Sequence, residues 1–265
     1  MTPCVKSTKS DRNDAEAICE AVGRPSMRFV PQRSSDQLAL QAVYRIRQRL
    51  VSDRTRLVNQ IRGLLAEHGI AIARDISRPR SALAKIADGD DAGLVPLVRD
   101  LLRDIREELA DLDQRMASYN RRLRDLFRTD DMCRRIGRIE GIGPVTATAL
   151  VAAVGDRTCF KNGREFAASL GLVPRPRSSG GKARPLGISK RGDRYIRALM
   201  IHGARAVLGK AGGKQDARSQ WIGRMRARRH PDVVAVALAN RNARIVWSVL
   251  ASGDAYQPAR AVPAA

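Results

Sequence analysis

The sequence predicts a mainly α-helical protein, and three observations predict it. Apolar residues recur at steps of three and four through two long stretches, which is the period of a helix and not of a strand. The 265 residues are 43% hydrophobic but only 4% aromatic, so the core must be built from Leu, Ile, Val and Ala, mostly on helices. Small apolar residues then dominate a third stretch, from about 130 to 155. Four parts are expected: an N-terminal part (1–70), a connector with a coiled-coil helix (71–128), a helical C-terminal domain (129–256) and a frayed tail (257–265).

In chain order, residues 14–22 read as a helix with Ala15, Ile18, Cys19 and Val22 on one face, stopped by Gly23, Arg24 and Pro25. Residues 27–31 follow as an extended segment whose apolar content is Phe29 and Val30. A second helix runs from 36 to 68, ended by Gly69. Val43, Leu50, Leu57 and Leu64 recur along it every seven residues, with Ile46 and Ile61 beside them. Residues 73–93 contain Pro79, Gly89 and Gly93 and read as an exposed connector. The stretch 94–127 has the clearest period. Leu102, Ile105, Leu109, Leu112, Met116, Tyr119, Leu123 and Leu126 alternate steps of three and four, the seam of a coiled coil. Its outer face carries Arg103, Arg106, Glu107, Glu108, Arg121 and Arg122, too charged to be covered. Two such helices predict an antiparallel arm or a dimerising stalk, with a core helix inside one globule as the alternative. Further on, a basic Gly/Ser/Pro stretch without regular structure spans 174–192. A helix covers 193–208, a basic connector follows, and a last helix runs from 233 to 250.

The chain has 49 Lys and Arg against 27 Asp and Glu, a formal charge of +22. Such a surplus repels itself in a lone globule and implies a polyanionic partner. Nucleic acid is expected, since each neutralised phosphate releases counterions. A membrane is not: no apolar run approaches the roughly 20 residues of a spanning helix, and the basic residues do not line one amphipathic helix. Cys4, Cys19, Cys133 and Cys159 form no CxxC pair, and His68, His202 and His230 lack ligand spacing. Buried, reduced thiols are therefore expected in place of zinc. The first six residues hold no apolar signal core, which predicts a cytoplasmic location.

Four motifs bear on chemistry. The run 139–150 (IEGIGPVTATAL) reads as the hairpin of a helix-hairpin-helix element. Gly141 and Gly143 permit positive φ, Pro144 suits the first helical turn, and the free N–H groups there receive a phosphate. An ordinary Gly-Pro turn between packed helices is the alternative. In 171–184, Arg175, Arg177, Lys182 and Arg184 flank Ser178, Ser179 and Gly180. A hydroxyl beside a glycine can meet a backbone phosphate while the cations stabilise the developing charge; a plain loop serine is the alternative. In 187–197, Asp193 is a helix N-cap with Ile196, Leu199 and Met200 facing a core. Lys190, Arg191, Arg194 and Arg197 would then form a phosphate-binding patch, or merely a solvated basic face. Near the start, Asp11 and Asp14 lie three residues apart. On a helix they share a face and could hold one Mg²⁺ with water and a substrate phosphate; a simple N-cap is the alternative.

Taken in order, these motifs resemble the insertion sequence 110 transposase family. Lys9, Asp11, Asp14 and Ala15, then Arg28 to Pro31, look like the end of its RuvC-like nuclease domain. Gly141 to Pro144, the run 166–175, Ser178 to Lys182 and Ile188 to Asp193 resemble its C-terminal transposase domain, with Ala237 to Asn240 and Ala243 to Trp247 its closing helix. The resemblance implies the remnant of an α/β RuvC-like domain at 1–70, a coiled-coil insertion and a helical transposase domain. It further implies Mg²⁺-dependent DNA recombination, a serine nucleophile, an acidic tetrad, homo-oligomers and a guide RNA encoded by the element. By position, Asp11 and Asp14 match the last two acids of the tetrad and Ser179 the nucleophile, with Ser178 the adjacent ambiguity. The family's first Asp and its Glu precede that Lys-x-Asp-x-x-Asp run. Here only ten residues precede Asp11 and none is acidic, so the chain is expected to lack the start of the nuclease domain and to be inactive alone. A non-catalytic nucleic-acid-binding remnant and a coiled-coil scaffold are the rival readings.

Overall fold

The computed structural model describes residues 10–25, 27, 32–72, 77–87, 93–154, 160–179 and 182–257; the side chains of 77–79, 87, 176–179 and 182–186 lie outside that description. Among these residues the protein is mainly helical, with one two-stranded sheet. Cys4, Phe29, Val30 and Cys159 lie outside the described residues, as does the tail from 258 onward.

The chain divides into two compact units, Met1–Arg33 and Ser34–Ala265. The first contains α1 (Asp11–Gly23). Ser10 caps it, its hydroxyl accepting from the Asn13 N–H at 3.3 Å, so Asp11 and Asp14 both fall inside the first turn. The face expected to be apolar is open to solvent: Ile18 is 53% and Val22 64% exposed, and Cys19 is exposed too. Ala17 and Ala21 are buried instead. Periodicity marks a helix, but in so short an element it does not say which side is covered.

The second unit begins with an arm. Its first helix, α2 (Ser35–Glu67), opens with a capping box. Ser34 accepts from the Gln37 N–H, while the Gln37 side chain accepts from the Ser34 N–H. Gly69 at φ 78° follows its end. Next come α3 (Ser77–Ala87) and α4 (Pro96–Thr129). Arg54 reaches Asp113 at 3.5 Å and Arg47 reaches Asn120 at 2.7 Å. Seven residues back along α2 thus correspond to seven residues forward along α4, so the two helices run antiparallel. Leu102, Leu109, Leu112, Met116 and Leu123 of the seam are buried, Ile105 and Tyr119 half-buried, and Leu126 is 42% exposed. Opposite them α2 buries Leu50, Leu57, Val58, Ile61 and Leu65. Each buried Leu contributes roughly 2 kcal/mol, against a few tenths for an exposed pair such as Arg103–Asp100, so the seam holds the arm together.

The expected exposed connector at 73–93 is corrected in its centre. Helix α3 buries Leu83 and Ile86 in the arm core, and its Arg80 joins Asp113 at 2.8 Å. Pro79 is the third residue of α3, where a backbone N–H has no helical partner to lose.

The rest of the unit is a helical body: α5 (Asp131–Gly137), α6 (Pro144–Val154), α7 (Gly163–Ser169), β1 (Pro174–Ser179), β2 (Lys182–Ile188), α8 (Arg194–Lys210), α9 (Ala217–Arg226) and α10 (Pro231–Ser252). Two further expectations fail here. The basic connector after α8 contains α9, capped by Asp216. The Gly/Ser/Pro stretch is regular: β1 and β2 pair antiparallel, Ser179 opposite Lys182 across the two-residue Gly180–Gly181 step. In such a hairpin the pair next to the turn is hydrogen-bonded and the pairs then alternate. Pro176 and Pro185, which face each other, therefore fall on a pair whose N–H groups point away from the partner, and their missing donors leave the ladder intact.

Helix α10 is apolar enough over 22 residues to pass as a membrane span by length and composition, contrary to the expectation that no run approaches that length. It is the central helix of the body. Val234, Leu238, Ala239, Ala243 and Val246 are fully buried, and it packs on α5, α7, α8 and α9.

Candidate nucleic-acid interface

The hairpin returns into a short loop that leads to α8, and this loop is fastened at every step. The Ser189 N–H donates to Val173 O at 2.8 Å, and the Lys190 N–H to Gly171 O at 3.3 Å. Gly171 (φ 69°) and Gly192 (φ 82°) both require the left-handed region. A Cβ on Gly171 would stand 2.1 Å from Arg191 O, and one on Gly192 1.7 Å from Ser169 O. The loop thus lies directly on the 169–172 turn. Asp193 then caps α8 as expected, its carboxylate accepting from the Tyr195 and Ile196 N–H groups at 2.8 and 3.0 Å.

Arg197 is removed from the expected patch. It is 8% exposed, and its Nη1 donates to Leu170 O and Arg191 O, both at 3.0 Å. As the fourth residue of α8 it faces back toward the loop, so it clamps the loop to the turn beneath and is not available to a ligand. Lys190, Arg191 and Arg194 are exposed, as is Arg175 at the hairpin base. Lys190 is the one non-glycine residue at positive φ among those described, at 55°. A left-handed residue with a Cβ costs on the order of 1 kcal/mol, a cost that glycine would avoid. The sequence hints at none of this, because backbone strain at a lysine leaves no compositional trace.

The side chains of Arg177, Ser178, Ser179 and Lys182 lie outside the description, as do Gly180 and Gly181 entirely. The backbone places Ser179 as the last residue of β1, at the hairpin tip and opposite Lys182. A two-residue Gly-Gly step between extended runs is the signal that would have revealed this hairpin.

The glycines of the 139–150 run separate. Gly141 is at φ 89°, but Gly143 is not at positive φ, which corrects the expectation for that residue. Gly141 packs on α8 so closely that a Cβ on Gly203 would stand 1.9 Å from Gly141 O. Glu140 O accepts from Asn242 Nδ2 at 2.9 Å, and its carboxylate pairs with Arg218 at 3.4 Å. This turn is a vertex where α8, α9 and α10 meet. Gly143 is exposed and Gly141 half-buried, and Pro144 opens α6. Gly203 follows Arg194 by nine residues on α8, roughly 14 Å along its axis, so the turn and the basic loop are spaced along one rigid helix.

In the first unit, Asp11 is exposed and Asp14 half-buried, one turn apart on α1. Acids there also complement the helix dipole. Two carboxylates with water and phosphate suit Mg²⁺, which takes few protein ligands. Among the described residues no three His, Cys, Asp or Glu side chains gather as a metal site.

Comparison with known proteins places this architecture. The profile described as the Transposase IS116/IS110/IS902 family matches residues 133–222, and a transposase profile of the DEDD IS110 kind matches residues 4–70. The chain is 48% identical over 259 residues to a probable family 20 transposase of Pseudomonas aeruginosa, covering 97% of this chain and 77% of that one. It is 43% identical over 257 residues to the transposase for insertion sequence element IS1111A of Coxiella burnetii (97% and 71% covered). It is 39% identical over 256 residues to the transposase for insertion sequence element IS1328 of Yersinia enterocolitica (97% and 76% covered).

Proposed function

The chain belongs to the IS116/IS110/IS902 family, the transposases of insertion sequences, and we propose that it grips DNA through the hairpin and the loop that follows it. What carries this reading is Lys190, a lysine held left-handed and exposed on a loop that its neighbours lock in place. Strain kept where glycine would relieve it points to a use for the side chain. Arg175, Arg191 and Arg194 surround the same strip, and contacts of this kind hold the phosphate backbone without reading sequence. Gly143 and the start of α6 supply a further phosphate contact along α8.

Ser179 at the hairpin tip is the nucleophile in this reading. Its Oγ attacks phosphorus and forms an Oγ–P bond, its proton is lost, and the displaced sugar oxygen leaves and takes up a proton. Lys182 is its cross-strand partner in backbone register, and a cation from that position would balance the charge that gathers on the phosphate. Asp11 and Asp14 would hold Mg²⁺, which supplies charge neutralisation at phosphate when bound. Self-association along the arm and a guide RNA belong to the same proposal. Because α4 lays its seam on α2 within one chain, a second copy would have to use another face of the arm.

A second reading, binding without cleavage, is favoured by the exposed basic strip itself, since Arg175, Lys190, Arg191 and Arg194 can hold phosphate whether or not a bond is cut. A denaturing gel of labelled DNA incubated with the chain and Mg²⁺ separates the two. The catalytic reading expects a covalent adduct that Ser179→Ala abolishes while DNA binding persists. An adduct that survives Ser179→Ala transfers the role to Ser178, and no adduct at all leaves the binding reading.

A further inference from the structure

A second group of basic residues lies on α9 and α10, apart from the loop. Arg218 shows what a neutralised arginine looks like in this body. It is 8% exposed and donates to Glu140 Oε2 at 3.4 Å and to Tyr256 Oη at 2.6 Å, with the Tyr256 ring 5.8 Å away. Arg241 and Arg244, three residues apart on α10, differ. Both are half-buried, and among the described residues no carboxylate pairs with either. The Arg241 guanidinium stands 5.4 Å from the centroid of the Trp221 ring. Arg244 is pressed on Gly163, where a Cβ would come within 3.0 Å of its Cα and its carbonyl oxygen.

Two ordinary explanations for unpaired arginines fail at these positions. Basic residues near a helix C-terminus compensate its dipole, and Arg224 and Arg226 in the last turn of α9 do that. Arg241 and Arg244, however, lie in the middle of α10 (Pro231–Ser252). Free solvation is the other explanation, but neither side chain is fully exposed. Burial, then the charges of Arg218 and Arg244, hold Arg241 below the usual arginine range, so its cation is disfavoured and an anion beside it would relieve that.

We propose that Arg241, Arg244 and Trp221 form a second phosphodiester-binding site. A guanidinium laid against an indole keeps its N–H fork free at its edge, the geometry that meets two phosphate oxygens. Exposed Arg224, one turn beyond Trp221, and Arg228 and Arg229 after it extend the positive surface, with no acid between Asp216 and Asp232. The site deepens the nucleic-acid reading given above and rests on it. It implies that the body is held at two places, at the loop before α8 and on α10, as a wrapped or bridged strand would require.

The test compares two double variants, Arg241→Gln/Arg244→Gln and Lys190→Gln/Arg191→Gln, for binding to duplex DNA and to single-stranded RNA over a salt series. Loss of two phosphate contacts at the α10 site should make the slope of log K against log salt shallower by about two units on duplex and somewhat less on a single strand. Arg241→Lys should keep the slope but weaken binding severalfold, since the stacked fork is lost while the charge stays. The melting temperature of the α10 double variant should hold or rise. A change on one nucleic acid alone identifies it as the source of the phosphate. An unchanged slope on both, with the variant folded, overturns the site and leaves the loop reading standing if its own variant responds. Should the α10 variant respond and the loop variant not, the loop reading falls and this one stands. A parent chain that binds neither nucleic acid overturns both.

Discussion

Lys190 and Cys133 show how single residues record what surrounds them. Lys190 sits at φ 55° because the loop is fastened on both sides, to Gly171 and by Gly192. Lys190→Gly relieves that strain but adds chain entropy to the unfolded state. Its stability should therefore stay level or rise by up to about 1 kcal/mol in denaturant melts, while DNA binding weakens. A variant that melts earlier and binds as before would make the left-handed lysine a structural accident. Cys133 is buried, and desolvation, then the neighbouring Asp130, push its thiol up to about 12. The native state thus holds a proton that the unfolded chain releases near pH 9. Any stability from this thiol is complete below that pH and is lost as the pH rises from about 9 toward 12. At pH 8 iodoacetamide should label exposed Cys19 and spare Cys133 until denaturant is added, read by peptide mass spectrometry. Cys19 was itself expected to be buried, and its exposure corrects that.

At the scale of elements, the arm and the hairpin contrast in how they are specified. The arm follows from a seam long enough to select its own partner, and its base is tied to the body where the Tyr44 and Tyr195 rings meet at 5.8 Å and Arg47 donates to Tyr195 Oη at 3.4 Å. Replacing Leu109 and Leu112 with Asp puts two charges into a packed interface. Several kcal/mol of stability should be lost, seen as a lower melting temperature and less helical circular dichroism. Sedimentation of the same variant addresses self-association: a wild-type oligomer that the change converts to monomer supports the arm as its contact, and a wild-type monomer rejects it. The hairpin depends instead on a two-residue turn and on prolines confined to outward positions, a pattern that reads as disorder unless register is known.

For the whole molecule, a charge of +22 dominates. Among the described residues most ion pairs are exposed neighbours on one helix, such as Arg134–Asp131 and Arg115–Asp111, which add little stability and leave the surplus in place. Binding to nucleic acid should accordingly weaken steeply with salt. Charge reversal at Lys190 and Arg191 should make that slope shallower by about one unit per lost contact. A slope untouched by the reversal moves the principal binding face elsewhere on the body.

The sequence by itself determined the helical class, the two long helices to within about two residues at each end (36–68 and 94–127 against Ser35–Glu67 and Pro96–Thr129), the Asp193 cap and the transposase family. All of these rest on short-range rules: period, capping chemistry and motif order act between residues a few positions apart. Only the tertiary structure decided that α3 is a packed helix, that the basic Gly/Ser/Pro stretch is a hairpin, and that Arg197 is a clamp while Lys190 is strained and exposed. It alone set Gly141 against Gly203 and, among the described residues, left Arg241 and Arg244 without a carboxylate partner. These outcomes turn on which distant residue lies opposite. Two arginines with the same local surroundings in the sequence differ in role once one meets a buried carbonyl and the other does not.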